Sequence, residues 1–84
     1  MNIHELRNEI DQIDDRLLNL FERRMEIAGQ IGQYKKERSL PVKNAERESE
    51  LLNRLCEKTR PELAGYVRAL FSSLIEMSCD YQER

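Results

Sequence analysis

Residues Leu20–Arg38 read LFERRMEIAGQIGQYKKER, and the place of Arg24 in this stretch decides how the rest of the chain is understood. Apolar side chains fall at Leu20, Ile27, Ile31 and Tyr34, which puts them along one side of a helix. Arg24 stands between Leu20 and Ile27, where the alternation of threes and fours asks for another apolar group. A guanidinium among aliphatic neighbours with no anion costs roughly several kcal/mol. Three arrangements relieve that cost: the stem lies along the core with the head in water, the head pairs with an acid such as Glu48, or a bound anion meets it.

Upstream, the same seam continues through Ile3, Leu6, Ile10, Ile13 and Leu17. No proline interrupts it before Pro41, so the spacing predicts one helix of about 36 residues, roughly 54 Å long at 1.5 Å per residue. Downstream, RSLPVKN breaks the pattern, with Pro41 restricting Leu40 to extended backbone. A second helix is expected to begin near Asn44, a good capping residue, with a stripe of Ala45, Leu52 and Leu55 in which Glu48 fills the gap. It fades around Lys58. The sequence TRPE, Thr59–Glu62, has the form of a capping box with proline in the first turn, which predicts the start of a third helix. Its apolar side carries Leu63, Tyr66, Val67, Leu70, Phe71, Leu74, Ile75 and Met77, extended by Ser78 and Gln82.

The expected class is therefore all-α, with one long, one short and one medium helix in a single domain spanning residues 1–84. A chain of 84 residues has a marginal core. The long helix also offers more seam than two shorter helices can enclose, so an intertwined helical homodimer is expected.

Composition excludes several function classes. Charged residues are 36% of the chain, but the formal net charge is only -2 and no block of like charge occurs, so no nucleic-acid partner is expected. Cys56 and Cys79 lack metal or redox spacing, and His4 is the only histidine, so no metal site is expected. There is no membrane-length apolar run and no signal pattern, which makes a cytoplasmic, soluble protein the expectation.

The polar residues on apolar faces gather in a way that scattered accidents would not. Lys35 lies almost three whole turns beyond Arg24, on nearly the same side of the helix, with Ala28, Ile31 and Gly32 between them. Gly29 and Gly32 each cost about 1 kcal/mol against alanine inside a helix; either a neighbouring helix approaches closely there or room is left for something else. Glu48, with Arg47 beside it, interrupts the second stripe, and Ser78 and Gln82 follow Phe71 and Ile75 on the third. Such breaks in binary patterning point to a polar pocket within the bundle, suited to a small dianion that also bears a hydroxyl or ether. Arg7 lies seventeen positions from Arg24, about 25 Å along the axis, so only a partner's Arg7 could serve the same pocket.

From LRNEIDQIDDRLLNLFERRMEIAGQIGQYK through PVKNAERESELLNRL to LFSSLIEMSCDYQ, the chain resembles the all-helical chorismate mutases, small intertwined dimers that convert chorismate to prephenate in aromatic amino acid biosynthesis. The resemblance implies that Arg7, donated across subunits, and Arg24 hold the substrate carboxylates, with Arg47 a further cationic contact and Ser78 lining the carboxylate region. It implies that Lys35 and Gln82 hydrogen-bond the ether oxygen and that Glu48 receives the substrate hydroxyl. Lys35, Gln82, Arg24 and Glu48 are thus the expected catalytic residues. Asn44 departs from the family pattern, which has an aspartate near the hydroxyl; it keeps an acceptor oxygen but lacks the charge.

The implied chemistry, a Claisen rearrangement, needs no nucleophile, proton transfer or cofactor, and the sequence offers no triad and no cofactor loop. The same scaffold also resembles isochorismate pyruvate lyases, which bind a similar dianion. A catalytically silent helical dimerisation module is the alternative from outside the enzymes; it leaves the polar cluster unexplained.

Overall fold

The computed structural model describes residues 2–84. Three α-helices carry the chain: α1 from Ile3 to Glu37, α2 from Ala45 to Lys58, and α3 from Ala64 to Gln82, with a 3-10 turn at Pro61–Leu63 and no strand among the described residues. α1 is 35 residues long. It begins at Asn2, whose Oδ1 accepts the Glu5 N–H at 2.9 Å.

The end of α1 is built by the chain that follows it. Ser39 adopts a left-handed conformation, with φ 54°. Its N–H donates to the Lys36 carbonyl at 3.2 Å, while the Leu40 N–H reaches back to the Lys35 carbonyl at 2.8 Å. This pair of bonds satisfies the last carbonyls of the helix and turns the backbone away. Pro41 then keeps the connection extended, and Asn44 caps α2 by accepting the Arg47 N–H at 3.1 Å.

The start of α3 differs from expectation. TRPE forms no capping box: Thr59 is the C-cap of α2, its N–H donating to the Leu55 carbonyl at 3.1 Å, and Arg60 precedes the 3-10 turn without a side-chain cap. Arg60, not Thr59, is the residue before the turn. Pro61 and the Leu63 N–H to Arg60 carbonyl bond, 2.9 Å, start the turn instead. On α2 the half-buried side is Leu51, Leu52, Leu55 and Cys56, whereas Ala45 is exposed.

α3 packs against both other helices. The face α1 turns toward it is not the heptad seam. Ala28 and Gly32 are buried and Phe21, Arg24, Met25 and Lys35 are half-buried, while Ile27, Ile31 and Tyr34 remain exposed. Small residues let α3 come close, while Ile27 and Ile31 of the seam border the open cavity between the helices. Arg24 lies at the border of the two faces.

Upstream of Phe21 the seam touches nothing in the chain: Ile3, Leu6, Ile10, Ile13, Leu17 and Leu20 are each at least 41% exposed. Ala28 and Ile75 alone form the buried aliphatic core of the described residues. The dimensions agree, at 54 × 26 × 15 Å with a radius of gyration of 15.9 Å, against about 12 Å for a compact chain of this length. The chain exposes 7070 Å², about 1,800 Å² more than the roughly 5,250 Å² of a compact monomer of 10.0 kDa.

Candidate functional site

Where the three helices converge, they enclose a cavity of about 380 Å³ open to solvent, within the usual size of small-molecule sites. α1 contributes Arg24 and Lys35, α2 and its cap contribute Asn44, Arg47 and Glu48, and α3 contributes Ser78 and Gln82. Seven of the eight sequence-selected residues therefore meet in one place. Arg7 does not: it is exposed on the first turns of α1, beside His4, Asn8 and Asp11.

Each of the two half-buried cations is held by neutral groups. The Arg24 guanidinium donates to Ser78 Oγ and, at 3.5 Å, to the Leu74 carbonyl. Ser78 is itself only 6% exposed, so α3 fixes the fork from below. Lys35 Nζ donates to the Val42 carbonyl at 2.6 Å and to Gln82 Oε1 at 3.3 Å. With its carbonyl oxygen turned to Lys35, Gln82 keeps its Nε2 hydrogens free to donate. Arg47 is exposed at the rim. Among the described residues none of the three pairs with a carboxylate, so of the arrangements that could relieve Arg24, an ion pair with Glu48 is not adopted.

The single carboxylate lining the cavity is Glu48. Its Oε1 accepts from Lys43 Nζ at 3.3 Å, while its Oε2 is buried with no partner in the structure. A buried acceptor left unsatisfied costs about 1–3 kcal/mol, and no group of the described residues donates to Oε2. Three cations and one carboxylate give the lining a net charge of +2.

Asn44 is legible in the same terms. Its Oδ1 is engaged with the Arg47 N–H, which makes it a helix cap that orients Arg47 and Glu48. The lining also includes Ile27, Leu51 and Cys79, which sequence reasoning did not select. An aliphatic or a thiol in a stripe carries no mark of lining a cavity.

The sequence profile of the chorismate mutase type II family matches residues 6–83, which take in α2, α3, all of α1 but its first three residues, and every polar residue of the cavity. The chain belongs to the chorismate mutase type II family. Among curated relatives of this family, it is 35% identical over 63 residues to the bifunctional chorismate mutase/prephenate dehydratase of Aquifex aeolicus, covering 75% of this chain and 17% of that protein. It is 37% identical over 75 residues to the bifunctional chorismate mutase/prephenate dehydratase of Escherichia coli K12, covering 87% and 19%. It is 33% identical over 73 residues to the T-protein of Haemophilus influenzae, again covering 87% and 19%. The chain thus spans under a fifth of the length of these relatives. Among solved structures, a conserved hypothetical protein from Pyrococcus furiosus superimposes with a TM-score of 0.80 at 40% identity, covering 95% of this chain and 93% of that one. This chorismate mutase type II chain contains no helix, among its described residues, long and apolar enough to cross a membrane.

Proposed function

We propose that the protein is a chorismate mutase, an isomerase that rearranges chorismate to prephenate in aromatic amino acid biosynthesis, acting as a homodimer. The observation that carries this reading is the cavity itself. Arg24 and Lys35 are part-buried cations with only neutral partners, and Glu48 Oε2 is an acceptor without a donor. A dianion bearing a hydroxyl supplies what all three lack.

Arg24 holds one substrate carboxylate, its planar fork suiting paired oxygens, with Ser78 keeping the guanidinium in place. Arg7 of the second subunit closes the pocket over the other carboxylate, and Arg47 adds positive charge at the rim. Glu48 Oε2 accepts the substrate hydroxyl. Lys35 Nζ and Gln82 Nε2 donate to the ether oxygen. In the reaction that carbon–oxygen bond breaks as a carbon–carbon bond forms within the same molecule, so nothing is gained or lost. The protein's contribution is to confine the substrate in its compact conformer and to aim donors at the oxygen where negative charge builds. Asn44 acts from its capping position.

The dimer is supported by the exposed seam of α1. The excess surface, counted for two chains, lies within the 2,000–5,000 Å² typical of obligate homodimers.

The test is the loss of chorismate absorbance with purified protein, run beside isochorismate with pyruvate release as the second readout. Chorismate turnover to prephenate without pyruvate supports the proposal; pyruvate release from isochorismate alone replaces it with a lyase. A silent dimerisation module predicts neither, and no thermal shift with a dicarboxylate mimic of the transition state.

A further inference from the structure

Gly29 and Gly32 look equivalent in the sequence, and the structure separates them. A Cβ added at Gly29 would meet only the edge of the Tyr81 ring, at 3.4 Å, an ordinary contact. A Cβ added at Gly32 would lie 2.9 Å from Gln82 Cα and 3.0 Å from both the Cβ and the carbonyl oxygen of Gln82. Real Cβ atoms do not come so close, and most of that contact is backbone, so no rotamer change relieves it. Gly32 has no positive φ and sits in the interior of α1, where helix propensity favours alanine over glycine. Only the space it leaves accounts for it.

That space is occupied by the residue of α3 to which Lys35 hydrogen-bonds. Lys35 lies three residues beyond Gly32, on the same side of α1, and its Nζ reaches Gln82 Oε1 at 3.3 Å. Any side chain at 32 would push the last turn of α3 outward and carry Gln82 with it. We propose that Gly32 is a positioning residue: by letting the Gln82 backbone rest on α1, it sets the Lys35–Gln82 pair at the spacing from which both donate to one oxygen. This rests on the chorismate mutase reading above.

The experiment compares Gly32→Ala, Gly29→Ala, Gln82→Ala and the Gly32→Ala/Gln82→Ala double variant. Gly32→Ala should lower kcat by about 10²-fold with a much smaller change in KM, since a misplacement near 1 Å costs about that much. Gly29→Ala should stay within about twofold of the parent, because its new methyl meets only a ring edge. The double variant should be no slower than Gln82→Ala alone, because an effect transmitted through Gln82 cannot be lost twice. Independently of substrate, the Gln82 side-chain amide resonances should move in Gly32→Ala and not in Gly29→Ala. A normal kcat in Gly32→Ala, deficits that multiply in the double variant, or a Gly32→Ala chain that does not fold would each overturn the proposal. The last would make Gly32 a requirement of the whole α1–α3 contact. If the parent protein leaves chorismate untouched, the resonance comparison still decides the role of Gly32, so the two readings fail separately.

Discussion

At the scale of single residues, the cavity divides the work between groups that hold position and groups kept free. Lys35 has a backbone acceptor and a side-chain acceptor and still retains a third hydrogen. If Lys35 acts mainly on the transition state, as proposed, its replacement by alanine should lower kcat by about 10²–10³-fold with a lesser change in KM. Turnover within a few-fold of the parent in a steady-state assay would contradict that role. Asn44 gives the opposite expectation. Because its side-chain oxygen is occupied in capping α2, Asn44→Asp keeps the cap and gains a favourable charge at a helix N-terminus, leaving stability equal or a few tenths of a kcal/mol higher. Asn44→Ala should cost about 1 kcal/mol in urea unfolding; equal loss in both variants would mean that the cap is not what matters there. Arg24, Lys35, Glu48, Ser78 and Gln82 could be picked from the sequence because each is polar where its helix should be apolar. Leu51, Ile27 and Cys79 could not, since a residue that obeys the pattern gives no sign that a cavity lies beside it.

At the scale of elements, the boundaries of α1 and α2 were readable because proline and asparagine act locally. Pro41 stops a helix and Asn44 starts one, whatever surrounds them. At the start of α3 the proline in the first turn was read correctly and the capping box was not, since TRPE could serve either neighbour and α2 took Thr59 as its own end. Which face of α1 would meet α3 was also hidden. The strongest periodicity belongs to Ile27, Ile31 and Tyr34, whereas α3 packs on Ala28 and Gly32, whose small size leaves little hydrophobic signal. The junction after α1 carries its own prediction. Ser39 holds a left-handed conformation that glycine adopts without steric cost, so Ser39→Gly should stabilise the protein by about 0.5–1 kcal/mol. A urea midpoint that stays put or falls would show that this turn is not strained. The same junction delivers the Val42 carbonyl to Lys35, so the variant should leave kcat unchanged.

At the scale of the molecule, Arg7 is the one proposed substrate contact that lies away from the cavity. It lies about 25 Å along α1 from Arg24, and the intervening seam, with Ile13 at 55% exposure, has no cover within the chain. If Arg7 acts across the dimer, Arg7→Ala and Arg24→Ala chains, each inactive, should recover activity when unfolded together and refolded. Half the resulting dimers are mixed, and in each one pocket has both arginines, so about a quarter of the parent activity returns for a two-fold symmetric pair. Mixed dimers isolated with two tags and found inactive would remove the shared pocket. The scarcity of buried aliphatics, Ala28 and Ile75 alone among the described residues, reaches further than architecture. If the chain dimerises as proposed, a chain with so little interior of its own draws its stability from the pairing, and dilution acts as a denaturant: each tenfold drop in concentration withdraws about 1.4 kcal/mol per dimer. Specific activity and melting temperature should then fall together as the solution thins, and the amount of protein made by the cell becomes a control on whether any of it works.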